Sequence, residues 1–255
     1  MSNIKDKIWL WGQAPAGYDN AGYGLPKGNK MDPIGGLEFF GINNLCRVKL
    51  SAEAGNSFIN DPWLGSPAKS ICLSLISAGG NTSSNDIDDI IKMARADSRV
   101  TSAVMDDFLT GERPKIYTPE VLLNFKNRLN NEAGRKLELW SVLYEREFDI
   151  IDAERAKIFD VTTFWTWFGE NLESLPESLK KMSDIVEGGR MMLGVYMYDF
   201  GNKKPLSDSA MIKQLEFAEE KLRTGEIEGI ILCSNVIADI GLNAVNITKD
   251  WLSTL

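Results

Sequence analysis

The stretch VTSAVMDDFLTG, residues 100–111, sets the interpretation of the whole chain. It begins as an apolar run typical of a strand that is buried on both faces, and it leads into two adjacent carboxyl side chains, Asp106 and Asp107. A charge beside a protein core is costly unless water, a partner or a function stabilises it. A buried strand that ends in two acids therefore predicts a solvated edge of a parallel sheet.

Seven similar apolar runs occur elsewhere in the 255 residues. The eight predicted strands are residues 8–13, 43–50, 70–77, 100–107, 137–145, 160–167, 191–198 and 229–235. Helical patterns occur at 32–41, 83–96, 118–134, 172–189, 207–225 and 242–255, whereas 51–67 shows no clear helix. Alternating strands and helices imply parallel pairing, and eight such units in this length predict an α/β fold, a single-domain (β/α)₈ TIM barrel.

A doubly wound open sheet is the alternative fold. It requires a glycine-rich phosphate turn that opens a helix directly after the first strand. Residues 12–29 are rich in glycine, but no helical pattern follows them at once. The chain also has no linker and no internal repeat, so we predict one TIM-barrel domain over residues 1–255, with an active-site cleft at the C-terminal ends of its strands.

The composition excludes several kinds of chemistry. The sequence contains no histidine, which removes His-dependent triads, His-ligated zinc and a His general base. A formal net charge of −8 without a basic cluster argues against a nucleic-acid partner. No apolar run is long enough for a bilayer and no signal peptide is visible, so we expect a cytoplasmic protein without a membrane partner. The three cysteines lie in apolar runs and predict buried thiols.

Carboxylates and large aromatic residues dominate the ends of the predicted strands. This combination suits a saccharide, because aromatic rings stack on the C–H faces of a sugar and acidic side chains bind its hydroxyl groups. Cleavage of a glycosidic bond then needs two carboxyl groups and no histidine. No metal and no cofactor is assigned, although a carboxylate-only Mg²⁺ site is an alternative.

The same residues also have structural interpretations. Either Asp106 or Asp107 could cap the following turn, because adjacent residues of a strand point to opposite faces. Asp199 opens the turn-like sequence DFGN, which suits an Asx turn. Trp165 and Trp167 share one strand face and could fill the barrel interior.

Several segments resemble an uncharacterised bacterial family of glycoside-hydrolase-like TIM barrels. They are MDDF (105–108), TFWTW (163–167), YMYDFGNKKP (196–205), IADIGLNAVNITKDWL (237–252) and the opening segment 23–44. The resemblance covers nearly the whole chain and implies a barrel that acts on carbohydrate. Many glycosidase barrels carry one acid at the fourth strand and another at the sixth or seventh. That analogy singles out Asp106 or Asp107, with Glu170 or Asp199 opposite.

We therefore predict a glycoside hydrolase, or a close relative, that acts on a saccharide through paired carboxylates. Asp107 is the first predicted catalytic carboxyl with Asp106 as its orienting partner, and Asp199 is the second, with Glu145 as the next choice. The predicted substrate-binding residues are Trp11, Arg47, Lys49, Trp165, Trp167, Glu170, Tyr196, Tyr198 and Asn235.

Two alternatives come from other functional classes. A non-catalytic carbohydrate-binding barrel would hold clustered aromatics without two carboxyl groups in reach of one bond. A Schiff-base lyase or aldolase would use Lys49, because a lysine within an apolar barrel strand can lose its proton and attack a carbonyl. Arg47, two residues earlier on the same face, favours an ion-pair network instead.

Overall fold

The computed structural model describes residues 4–50, 53, 55–77 and 86–255. Its strands are β1 (Ile8–Gly12), β2 (Asn44–Arg47), β3 (Ser70–Ile76), β4 (Val100–Met105), β5 (Glu138–Tyr144), β6 (Val161–Trp165), β7 (Arg190–Tyr196) and β8 (Gly229–Cys233). They form a closed barrel in chain order, with every neighbouring pair parallel and β1 pairing with β8. The predicted (β/α)₈ TIM barrel is confirmed, and all eight apolar runs contain a strand.

Helices cover the outside of the barrel. In the described part of the chain they are α1 (Pro33–Phe40), α2 (Asp86–Ala96), α3 (Pro119–Asn131), α4 (Ala153–Ala156), α5 (Leu175–Ile185), α6 (Asp208–Thr224) and α7 (Asn243–Thr254). Parts of the predicted helix at 83–96 and of the segment 51–67 lie outside the described residues. Among the described residues, no helix has the length and hydrophobicity needed to cross a membrane.

The helix boundaries follow local signals in the sequence. The Ser207 hydroxyl accepts a hydrogen bond from the Ala210 N–H at 3.3 Å and so begins α6. Gly225 ends the same helix with φ 79°, a left-handed conformation that glycine adopts without steric cost. The four-residue α4 was not predicted, because a single turn is too short to show a helical period.

Indole rings fill the barrel interior. Trp9 on β1 meets Trp140 on β5, with ring centroids 4.9 Å apart, and this contact crosses the barrel because β1 and β5 lie on opposite sides of it. Nearer the C-terminal ends of the strands, Trp11 meets Trp165 at 5.1 Å. Gly194 on β7 leaves room for the Trp165 ring. The upper pair of indoles therefore forms a floor beneath the C-terminal mouth of the barrel.

Candidate active site

A cleft of about 680 Å³ opens at the C-terminal ends of the strands. Its lining residues lie on or after β1, β4, β5, β6, β7 and β8, and the long loop after β1 forms one side. Leu50 and Glu53, from the segment after β2, also line it. Among them are Trp11, Gln13, Tyr18, Tyr23, Asp106, Asp107, Tyr144, Arg146, Trp165, Trp167, Tyr196, Phe200 and Cys233. Four of the predicted aromatic residues, Trp11, Trp165, Trp167 and Tyr196, are thus brought together.

The aromatic wall of the cleft is centred on Phe200. Its ring stacks on Trp167 at a centroid distance of 5.7 Å and an interplanar angle of 24°. The edges of Tyr23 and Tyr196 meet the same ring at 5.1 and 5.0 Å. The sequence did not identify four further aromatic residues of the cleft, Tyr18, Tyr23, Tyr144 and Phe200. No strand pattern marks those that lie in loops, and aromatic residues are common in loops.

Asp106 is the buried acid of the cleft. Its side chain is 5% exposed, and Oδ1 has no hydrogen-bond partner among the described residues. Burial raises the pKa of the Asp106 carboxyl well above its usual value, and the charge of Asp107 raises it further. Asp106 therefore retains its proton to a higher pH than an aspartate in water does.

Asp107 is half-buried and lines the same cleft. Its backbone has φ 50°, a left-handed conformation that aspartate tolerates better than most residues. The Asp107 carbonyl accepts hydrogen bonds from Arg113 Nη1 at 2.9 Å and from the Thr110 N–H at 3.2 Å. This turn ends the strand alternation, so both aspartates line one cleft rather than opposite faces.

Polar residues at the end of β5 add a cation and a second buried acid. The Arg146 guanidinium lies over the Tyr144 ring, with Cζ 4.1 Å from the centroid, at the cleft wall. The Glu147 Oε2 atom accepts a hydrogen bond from the Tyr144 N–H at 3.0 Å, and burial raises the Glu147 pKa to about 7. Glu145, the alternative second carboxyl, binds Asn171 Nδ2 at 2.8 Å and is not among the lining residues.

Hydroxyl and thiol groups near the floor of the cleft keep their protons. The Tyr144 and Tyr196 hydroxyl oxygens lie 3.4 Å apart, and burial raises the pKa of both phenols. Burial also raises the pKa of the Cys233 thiol to about 12. All three cysteines are buried and free, as the sequence predicted. These groups offer hydrogen bonds to a ligand without adding negative charge.

Asp199 holds a turn outside this cleft and lines a second, larger groove of about 1040 Å³. Its Oδ1 accepts a hydrogen bond from the Asn202 N–H at 3.0 Å, one residue beyond the N–H that an Asx turn would use, and Oδ2 accepts from Asn202 Nδ2 at 3.0 Å. Glu170 binds the same Asn202 side chain and lines the same groove beside α6. The Tyr198 hydroxyl donates to the Tyr23 carbonyl at 2.9 Å. The roles predicted for Asp199, Glu170 and Tyr198 gain no support from these positions.

Arg47 and Lys49 support the segment that follows β2 rather than the cleft. The Arg47 Nε atom lies 2.8 Å from Asp61 Oδ2, and its guanidinium also pairs with Glu53. The Lys49 Nζ atom binds the Asn56 carbonyl, and burial lowers its pKa. Neither residue is among those that line the cleft. This placement favours the ion-pair network over a Schiff base.

Asn235 binds the protein main chain. Its Oδ1 accepts from the Gln13 N–H at 2.8 Å, and its Nδ2 donates to the Gln13 carbonyl at 2.8 Å and the Met31 carbonyl at 2.7 Å. Asn235 thus fixes the start of the loop after β1. Among the described residues, no group of three or more His, Cys, Asp or Glu side chains is placed to hold a metal ion.

No protein-family model and no curated protein matches the chain. Solved structures match its fold. A glucosidase from Croceicoccus marinus aligns with a TM-score of 0.59 and 11% identity, covering 100% of this chain and 68% of that one. A glycoside hydrolase family 18 N-acetylglucosaminidase from Paenibacillus barengoltzii gives 0.54 and 7%, covering 96% and 99%. A probable 2-pyrone-4,6-dicarboxylic acid hydrolase from Acinetobacter baumannii gives 0.58 and 9%, covering 98% and 93%. The chain therefore has the TIM-barrel fold that glycoside hydrolases share with other enzymes.

Proposed function

We propose that the protein is a glycoside hydrolase, or a close relative, with Asp106 as the proton donor and Asp107 as the second carboxyl group. The observation that carries this proposal is the Asp106 carboxyl, which is buried in an aromatic cleft with a raised pKa. Glycosidic cleavage needs an acid that still holds its proton when it meets the leaving oxygen. Asp106, which the sequence suggested as an orienting partner, is thus proposed as the acid, and Asp107 takes the place suggested for Asp199 as the second carboxyl.

The second carboxyl and the aromatic wall complete the proposed site. Asp107 is more exposed than Asp106 and lines the same cleft, which suits a nucleophile or a base that activates water. Trp167 is half-buried and presents a large apolar ring to the cleft, and sugar C–H faces stack on such rings. The structural neighbours that are glycoside hydrolases support a saccharide as substrate by analogy of fold.

A panel of aryl glycosides tests the proposal. We expect the parent to cleave at least one of them and Asp106→Asn to lower kcat by about 10²–10⁴-fold on aglycones that are poor leaving groups. The loss should be much smaller on nitrophenyl glycosides, since a good leaving group needs little protonation. If Asp106→Asn and Asp107→Asn both keep parental rates on a substrate that the parent cleaves, the assignment is wrong.

A non-catalytic saccharide-binding barrel is the second candidate. It is favoured by the positions of Asp199 and Glu145, which do not line the cleft, and of Glu53, which lines it but pairs with Arg47. The two aspartates that remain are adjacent in sequence. In that case the parent would bind sugars, as measured through the fluorescence of Trp11, Trp165 and Trp167, but cleave none. Binding without cleavage across the whole panel would replace the first proposal by this one.

A further inference from the structure

We infer that Gln13 recognises the sugar at the floor of the cleft, by binding two neighbouring hydroxyl groups of a neutral pyranose ring. This inference rests on the proposed function and narrows its substrate class. The sequence places Gln13 directly after β1, the position at which TIM-barrel strands present functional side chains.

The side-chain amide of Gln13 lacks partners in the protein. The residue is 0% exposed and lines the cleft. Both Nε2 and Oε1 are buried without a hydrogen-bond partner among the described residues. A buried amide with two unsatisfied ends is costly, and nearly all such groups in folded proteins find a partner. We assign the missing partner to a ligand in the cleft that Gln13 lines.

The Asn235 side chain holds the main chain of Gln13 in a fixed place. Asn235, at the end of β8, binds both the N–H and the C=O of Gln13 at 2.8 Å. This two-point contact fixes the backbone from which the Gln13 side chain starts. Preorganised polar groups bind a ligand with a smaller entropic cost than mobile ones. The buried side-chain amide of Asn235 thus positions the residue whose own side-chain amide, that of Gln13, has no partner among the described residues.

The unpaired atoms define the chemistry of the ligand. An amide offers an acceptor oxygen and two N–H donors, and a pair of neighbouring hydroxyls supplies one matching donor and one matching acceptor. Asp106 Oδ1 is a further unpaired polar atom of the same cleft. An ammonium group would satisfy only the Gln13 oxygen in a cleft that also contains Arg146, and an anionic group would satisfy only the Gln13 N–H donors in a cleft that also contains Asp107. A neutral, hydroxyl-bearing ring fits all of these groups.

Trp11 and Trp165 set the orientation of that ring. Both indoles line the cleft and form its apolar floor next to Gln13. A pyranose has apolar C–H faces and a hydroxyl edge, so a ring that rests on indole directs its edge toward neighbouring polar groups. The indole floor and the unpaired Gln13 amide together predict that the sugar unit bound at the floor of the cleft carries two adjacent, unsubstituted hydroxyl groups.

Gln13→Met tests the inference, because it keeps the length of the side chain and removes both polar atoms. Titration of the parent with glucose, galactose, mannose and xylose, followed by tryptophan fluorescence, identifies its best sugar. We expect the variant to bind that sugar at least about tenfold more weakly, since a hydrogen-bonding pair of groups is lost.

The melting temperature of Gln13→Met should equal or exceed that of the parent, because an unsatisfied buried amide is removed. A purely structural role for Gln13 would instead lower the melting temperature.

Deoxy analogues of the best sugar provide the second measurement. Removal of a hydroxyl that Gln13 binds should cost the parent about tenfold in affinity and cost Gln13→Met almost nothing. Gln13→Glu, which keeps an acceptor and loses the donors, should fall between the two. The inference is overturned if Gln13→Met binds the sugar as tightly as the parent, or if each deoxy analogue weakens both proteins equally. A parent that binds none of these sugars overturns the inference, whereas cleavage of the aryl glycosides decides the proposed function separately.

Discussion

The Trp165 indole on β6 occupies the space that a side chain at Gly194 on β7 would need. A Cβ atom at position 194 would lie 2.0 Å from Cδ2 of the Trp165 indole and 2.2 Å from Cε3. The Trp165 indole also donates a hydrogen bond from Nε1 to Thr163 Oγ1 at 2.9 Å. The absence of a side chain at 194 therefore allows the indole to pack against β7 and form part of the floor of the cleft.

Gly194→Ala should destabilise the barrel and impair the cleft together. The added methyl group must displace an indole whose residue is 1% exposed, and overpacking of this kind costs about 1–3 kcal/mol. Urea unfolding measures the loss. Gly65→Ala is the matched control, since the nearest atom to its Cβ lies at 3.8 Å. Equal stability of the two variants would show that Trp165 is not held where the structure places it.

Glu147→Gln should stabilise the protein in a pH-dependent way. Burial raises the Glu147 pKa from 4.5 to about 7, so the folded state disfavours the ionised form. The contribution of Glu147 to stability is greatest below pH 4.5 and is lost as the pH rises to about 7. The glutamine variant avoids this loss and can still accept from the Tyr144 N–H. Its advantage should grow between these limits by up to about 1.4 kcal/mol per pH unit and then stay constant.

Urea unfolding of parent and variant at pH values of about 4, 5.5 and 7.5 checks this expectation. Glu177→Gln, at an exposed position of α5, is the surface control. A constant difference between Glu147→Gln and the parent at all pH values would mean that Glu147 titrates alike in the folded and unfolded chains.

The strands were predictable because parallel strands buried on both faces leave continuous apolar runs in the sequence. Ser207 and Gly225 likewise marked the ends of α6 through local hydrogen bonding and backbone freedom. These features depend on neighbouring residues, which the sequence displays directly.

The composition of the site was harder to predict. Tyr18 and Tyr23 lie in the loop after β1, and only the closed barrel brings them against Phe200. Asp199 follows a strand as a catalytic acid would, yet its carboxyl is used by Asn202 three residues later. The position of a residue relative to a strand does not show whether its side chain lines the cleft. The contacts that determine this come from distant segments or from the turn that contains the residue.

Arg47→Met should destabilise the protein strongly. Arg47 is 1% exposed and pairs with Asp61, whose side chain is 5% exposed. Burial already raises the Asp61 pKa despite the nearby guanidinium. Removal of one partner leaves the other as an uncompensated buried charge, which costs about 3–5 kcal/mol. The measurement is the free energy of unfolding in urea at neutral pH.

Lys69→Met provides the contrast for Arg47→Met. Lys69 pairs with Asp6 at 3.1 Å, but the two side chains are 65% and 44% exposed. Exposed ion pairs contribute about 0–1 kcal/mol. A cost for Arg47→Met no larger than that for Lys69→Met would show that the Arg47 network does not support the fold. In that case a ligand-binding role for Arg47 would need to be considered again.

Asp106→Asn should raise the stability of the protein at neutral pH and lower its activity. Burial raises the Asp106 pKa, so the unfolded chain releases its proton near pH 3.8 while the folded chain retains it. The parent therefore loses stability as the pH rises from that value toward the folded pKa, and the uncharged asparagine does not. The melting temperature of Asp106→Asn should match that of the parent near pH 3.8 and exceed it at neutral pH. A residue that lowers stability at working pH and is needed for activity belongs to a functional site, because its carboxyl group has no structural use. A lower melting temperature of Asp106→Asn at neutral pH would show instead that Asp106 supports the fold.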